Sequence, residues 1–84
     1  MRLVLLVRRE VGAMTHGHLR AVERPYHRVP AVGELVMLDD AGEVGHAVDQ
    51  ISWDNDGAPV LRFSGPPVSA RWLERVGFEQ VVVA

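Results

Sequence analysis

A chain of 84 residues makes one domain, and the absence of cysteine excludes disulfides, Cys-based zinc sites, iron–sulfur clusters and thiol catalysis. A domain this small buries only about 60% of its unfolded surface, so its stability rests on apolar packing, for which a hydrophobic content of 48% provides. The net charge of −2 conceals a polarity: residues 1–30 carry six Arg against two Glu (+4), and residues 31–84 carry three Arg against nine acids (−6).

All nine basic residues are arginine. In a chain rich in Ala, Val and Gly, this reads as a coding bias rather than as nine recognition forks. The longest apolar run is Leu3 to Val7, five residues. A spanning helix needs about 20 apolar residues and a signal peptide an apolar stretch of about 7–15. The expectation is a cytoplasmic protein without a membrane segment.

In chain order, residues 2–8 (RLVLLVR) read as a central strand covered on both faces. Residues 10–17 contain two glycines and no period, and read as a loop. Residues 18–29 are favoured as a strand that places Arg20, Val22, Arg24, Tyr26 and Arg28 on one face. The alternative is a short helix capped by Thr15 and ended by Pro25. Residues 34–39 read as a strand and 40–43 as a turn. Residues 44–54 read as a longer strand with Val48, Ile51 and Trp53 inward and a bulge near Asp49 and Gln50, where the parity breaks.

Asn55-Asp56-Gly57 is a tight-turn signal, because Asp-Gly supplies the positive φ such turns require. Residues 59–64 return as the partner strand with Leu61 and Phe63 on one face. Residues 68–76 form an amphipathic helix with Val68, Trp72, Leu73 and Val76 on one side, begun by Ser69 or the preceding prolines. Gly77 stops it, and Phe78 folds back onto Leu73 in a Schellman motif. Residues 78–83 are a last strand, free to pair with the first. The predicted fold is therefore mainly β, a β-rich α+β domain over 1–84. It is a small, strongly bent antiparallel sheet or an SH3-like barrel of five to six strands, with one short helix (68–76) before the last strand.

Few residues carry chemistry. His16-Gly17-His18 would bring two imidazoles to one face of a strand, so His16 and His18 are the candidates for a metal, with exposed loop histidines as the default reading. Asp39, Asp40 and Glu43, and separately Asp54, Asp56 and Gly57, suggest calcium at first sight. Neither set has the spacing of a calcium loop, and turn chemistry explains both. Ser52, Ser64 and Ser69 lie in no nucleophile elbow, and the glycines form no phosphate-cradling loop. No cofactor and no enzymatic activity are expected.

The sequence points instead to a surface. Arg20, Arg24 and Arg28 recur every four residues with Tyr26 between them. The leading expectation is a non-catalytic protein-binding or accessory module in which these arginines steer a partner and Tyr26 anchors it, including self-association between the basic N-terminal and acidic C-terminal regions. The alternatives are a nucleic-acid-binding small barrel using the same Arg/Tyr stripe and a His-based metal-binding protein.

Overall fold

A computed structural model describes residues 1–11, 14–63, 65 and 68–82. Its elements are β1 (Arg2–Val11), β2 (Met14–Glu23), β3 (Leu35–Met37), β4 (Gly45–Ala47), β5 (Gln50–Trp53), β6 (Pro59–Phe63), α1 (Ala70–Arg75) and β7 (Glu79–Val82). Among the described residues no helix is long and apolar enough to cross a membrane.

β1 and β2 form a long antiparallel hairpin, in register from Arg2 opposite Glu23 to Val11 opposite Met14. The loop expected over 10–17 is thus mostly ladder, and Gly17 is a buried strand residue opposite Arg8. Gly12 and Ala13 lie outside the described residues. The strand reading of 18–29 holds through Glu23 and ends there, because Pro25 has no N–H for the ladder. The face expected to carry Arg20, Arg24, Tyr26 and Arg28 is therefore interrupted, and residues 24–29 run as an irregular segment.

β6 joins the other edge of β1 in parallel, from Val4 beside Val60 to Val7 beside Phe63. β5 pairs antiparallel with β6, and β7 antiparallel with β2, giving the order β5-β6-β1-β2-β7. Four expectations are corrected here. The sheet is mixed rather than antiparallel. It ends on β5 and β7, so among the described residues it does not close into a barrel. Among the described residues there are seven strands, five of them in the large sheet, rather than five or six in one sheet. The last strand pairs with β2, since both edges of β1 are already occupied.

β3 and β4 form a separate two-stranded sheet. The long strand expected over 44–54 is split between the two sheets. Val48 N donates to Glu34 O at 2.9 Å, while Asp49 N donates to Arg62 O at 2.8 Å. The parity break read as a bulge is a corner at which the chain changes sheet.

That corner folds the small sheet over one face of the large one. Leu3, Leu5 and Val7 of β1 meet Val22, Leu61 and Phe63 from the same sheet. Val36, Leu38, Val48, Leu73 and Phe78 close over them. Each such aliphatic or aromatic side chain contributes about 1.5–3 kcal/mol when removed from water.

The helix is shorter than the expected 68–76. Ser69 Oγ accepts from Trp72 N at 3.5 Å at its start. At its end Gly77, with φ of 102°, donates to Glu74 O at 3.2 Å, and Phe78 N donates to Leu73 O at 2.9 Å. This is the Schellman pattern, with its hydrophobic contact between Leu73 and Phe78 inside the core. The 54–57 turn also forms as read: Asp54 Oδ1 accepts from Asp56 N and Ala58 N, and Gly57 has φ of 82°. Trp53, expected in the core, is 62% exposed. It pairs with Pro59 at the turn end of β5–β6.

Candidate functional site

The four residues of the Arg/Tyr stripe separate into two places. Arg20 lies on β2 opposite Leu5, half-buried at the rim of the core. Its Nη2 donates to Asp40 Oδ2 at 2.8 Å, and Arg24 Nη1 donates to Asp40 Oδ1 at 3.2 Å. One carboxylate thus clasps two guanidinium groups. The hydrogen bond and charge of Arg20, and then those of Arg24, hold the Asp40 carboxyl below the usual carboxylate range. Arg20 also lines a hollow of about 560 Å³ with Asp40, Glu43, Trp72 and Arg75, in which both signs of charge are present.

Arg28 and Tyr26 belong to a second place. Arg28 forms an ion pair with Glu34. The shared hydrogen bond raises the arginine's proton affinity and lowers that of the Glu34 carboxyl. Between this pair and β3 runs a groove of about 420 Å³, lined by Pro25, Tyr26, Arg28, Pro30, Glu34 and Leu35 among others. Leu35 is 62% exposed and Tyr26 36%. Two proline rings, an aromatic ring and a leucine give it an apolar floor, with one positive and one negative group at its rim.

Sequence reasoning missed Leu35 and Trp53 as surface groups. Residues 35–38 are all apolar, so nothing in the run shows that Val36 faces the core and Leu35 faces solvent. Trp53 has the inward parity of Ile51, and only its closeness to the turn at Asp54 could have pointed outward.

Among the described residues no group of three His, Asp or Glu gathers as a metal site. The backbone of β2 places His16 opposite Arg9 and His18 opposite Val7. His18 is buried rather than exposed in a loop, and the side chain of His16 lies outside the described residues.

Among the described side chains His46 is the other buried imidazole. No described residue offers a hydrogen-bond partner to its Nδ1, and a Cβ on Gly65 would stand only 2.8 Å from that nitrogen. Burial disfavours the imidazolium and pulls its proton affinity below the usual histidine value. The unfolded chain takes up this proton near pH 6.5, before the folded chain does. The stabilising contribution of neutral His46 is therefore complete above about pH 6.5 and declines as the pH falls towards the folded-state value. The urea midpoint should drop between pH 7.5 and pH 5 in the wild type, and His46→Gln should remove most of that slope. An identical slope in both proteins would assign it elsewhere.

No family model, curated protein or solved structure matches the chain.

Proposed function

We propose that the chain is a non-catalytic protein-binding module, and that its contact site is the groove between residues 24–30 and β3. Tyr26 serves as the anchor, Leu35 as a second apolar contact, and the Arg28–Glu34 pair as the polar rim. Arg20 and Arg24 act as positioning residues, tying the turn after β3 to the end of β2 through Asp40. The observation that carries this reading is the exposure of Leu35 and Tyr26 across a groove floored by prolines. Exposed aromatic and aliphatic groups ringed by polar ones are the usual composition of an interface centre. The occupant it suits is an extended peptide segment with one apolar side chain for the groove and a charged group for the rim.

The same residues support a nucleic-acid surface less well. Asp40 and Glu34 neutralise Arg20, Arg24 and Arg28 locally, and affinity for phosphates scales with unpaired cations.

Panning a random-peptide display library against the purified domain tests the proposal. Enriched peptides should bind the wild type, and Tyr26→Ser combined with Leu35→Ser should weaken them by about thirtyfold, the loss of roughly one 2 kcal/mol hot spot. Peptides that bind both proteins equally, or no enrichment at all, would overturn it.

A further inference from the structure

Two arginines of the large sheet lack what the others of their kind have. Among the described side chains the half-buried arginines are Arg8, Arg20, Arg24 and Arg62. Arg20 and Arg24 share the Asp40 carboxylate. Arg8 and Arg62 form no ion pair and no side-chain hydrogen bond with any described residue. In each of them Nε is buried without a hydrogen-bond partner, and the two Nη groups are not buried with it. The stem therefore lies along the sheet and the guanidinium head is held at the surface.

The strand register sets these two side by side. Arg62 of β6 lies beside Leu6 of β1, and Arg8 follows two residues on, opposite Gly17 of β2. Alternation puts both on the face of Val4 and Leu6, away from the core of Leu3, Leu5 and Val7. One strand spacing and an advance of two residues separate their Cα atoms by about 8 Å. Gly17 adds no side chain between them and β7. Gln50 of β5 is exposed and stands across from Arg62 on the same face, where its amide can donate. Of the strand carboxylates whose side chains are described, Glu79 comes closest by register. It is two strands and two residues from Arg8, about 12 Å.

We propose that Arg8 and Arg62 form a binding site for a phosphate monoester. A guanidinium drawn partly out of water is costly until an anion pairs with it, and its planar fork matches the oxygens of a phosphate. The chain shows its own version of the arrangement at Asp40, where one anion clasps two guanidinium groups. No described side chain takes that part between Arg8 and Arg62, so the anion comes from outside. Two cations call for a dianion. A phosphate monoester carries about −1.5 to −2 charges at pH 7 and three strong acceptor oxygens, enough for both arginines and Gln50. A carboxylate brings roughly half that charge. A long polyanion would need a continuing track of cations, whereas this face runs from the two arginines into Leu6, Val4 and Leu19. The proposal does not rest on the groove at Tyr26.

Titration of the purified protein with inorganic phosphate at constant ionic strength, followed by nitrogen–proton correlation spectra, tests it. The Nε–H signals of Arg8 and Arg62 should shift saturably, with a dissociation constant of about 1 mM, the affinity of two or three charge-assisted hydrogen bonds. Arg8→Met and Arg62→Met keep the apolar stem on the sheet and remove the fork, and each should weaken binding at least about tenfold. Arg8→Lys and Arg62→Lys keep stem and charge, and for want of the fork should still weaken it about threefold. Arg2→Met, on the same face at the other end of β1, should leave it unchanged. Circular dichroism and the urea midpoint confirm that each variant is folded. Phenyl phosphate should bind at least as tightly as inorganic phosphate, and acetate at least about tenfold more weakly. Shifts that grow linearly without saturation would overturn the inference, and so would folded Met variants that bind as the wild type does. Acetate equal to phosphate would make the pair a general anion contact, and phenyl phosphate weaker than the free ion would exclude the ester. A single-stranded oligonucleotide that binds more tightly per phosphate than inorganic phosphate would assign the pair to a nucleic-acid backbone instead.

Discussion

Phe63→Ala leaves much of the chain unfolded at room temperature. Phe63 ends β6 beside Val7, has no exposed surface, and shares the core with Leu61, Leu73 and Phe78. Removing a buried phenylalanine costs about 3–5 kcal/mol, through lost transfer energy and the cavity left behind. At about 0.05–0.15 kcal/mol per residue, a domain of this length holds only roughly 4–13 kcal/mol in total. Its small size places it towards the lower end. Trp53→Ala, which deletes the larger ring, is the matched comparison: at 62% exposure it should change stability by no more than about 0.5 kcal/mol. Urea denaturation followed by circular dichroism measures both. A Trp53→Ala loss equal to that of Phe63→Ala would place the core at the wrong end of the β5–β6 hairpin.

The contrast between Phe63 and Trp53 also marks what the sequence alone could convey. Features decided by a few neighbouring residues were legible. Asp54 to Gly57 and Leu73 to Phe78 form as read, because a positive φ and a short set of backbone hydrogen bonds are local requirements that few residues meet. The burial of Leu3 to Val7 on both sides of β1 followed from an unbroken apolar run. Strand pairing was not legible. Nothing within 79–82 records that both edges of β1 are occupied and that β2 is the free neighbour. The corner at Val48 and Asp49 was visible only as a break in parity, which a bulge and a change of sheet produce alike.

The candidate site shows the same division. The opposite charge of the two parts of the chain is plain in the composition, but its use is tertiary. Asp40 and Glu34, from the acidic part, fold back onto Arg20, Arg24 and Arg28 of the basic part. Much of the polarity that suggested an outward-facing stripe is consumed within the molecule.

Asp39→Ala tests whether the clasp depends on the turn beneath it. Asp39 is buried, and its Oδ1 accepts from Glu43 N at 3.0 Å and Val44 N at 3.1 Å. These bonds close the segment between β3 and β4, beside the backbone bond from Leu38 N to Val44 O at 2.7 Å. The next residue is Asp40, so the geometry that presents its carboxylate to Arg20 and Arg24 is set by the carboxylate of Asp39. Alanine leaves the Glu43 and Val44 N–H groups without their acceptor, at a cost of about 1–3 kcal/mol for partly buried donors. Asparagine keeps one carbonyl oxygen in place and should lose less.

Amide exchange separates this role from general destabilisation. In Asp39→Ala the Glu43 and Val44 amides should exchange faster, and so should the β4 amides, while those of β1 and β6 stay protected short of global unfolding. Asp40→Asn should leave the Glu43 and Val44 amides protected, because it alters only the ion pairs above the turn. If Asp39→Ala matches the wild type in both midpoint and exchange, the turn is held by its backbone alone. Asp40 would then owe its position to the arginines rather than to Asp39.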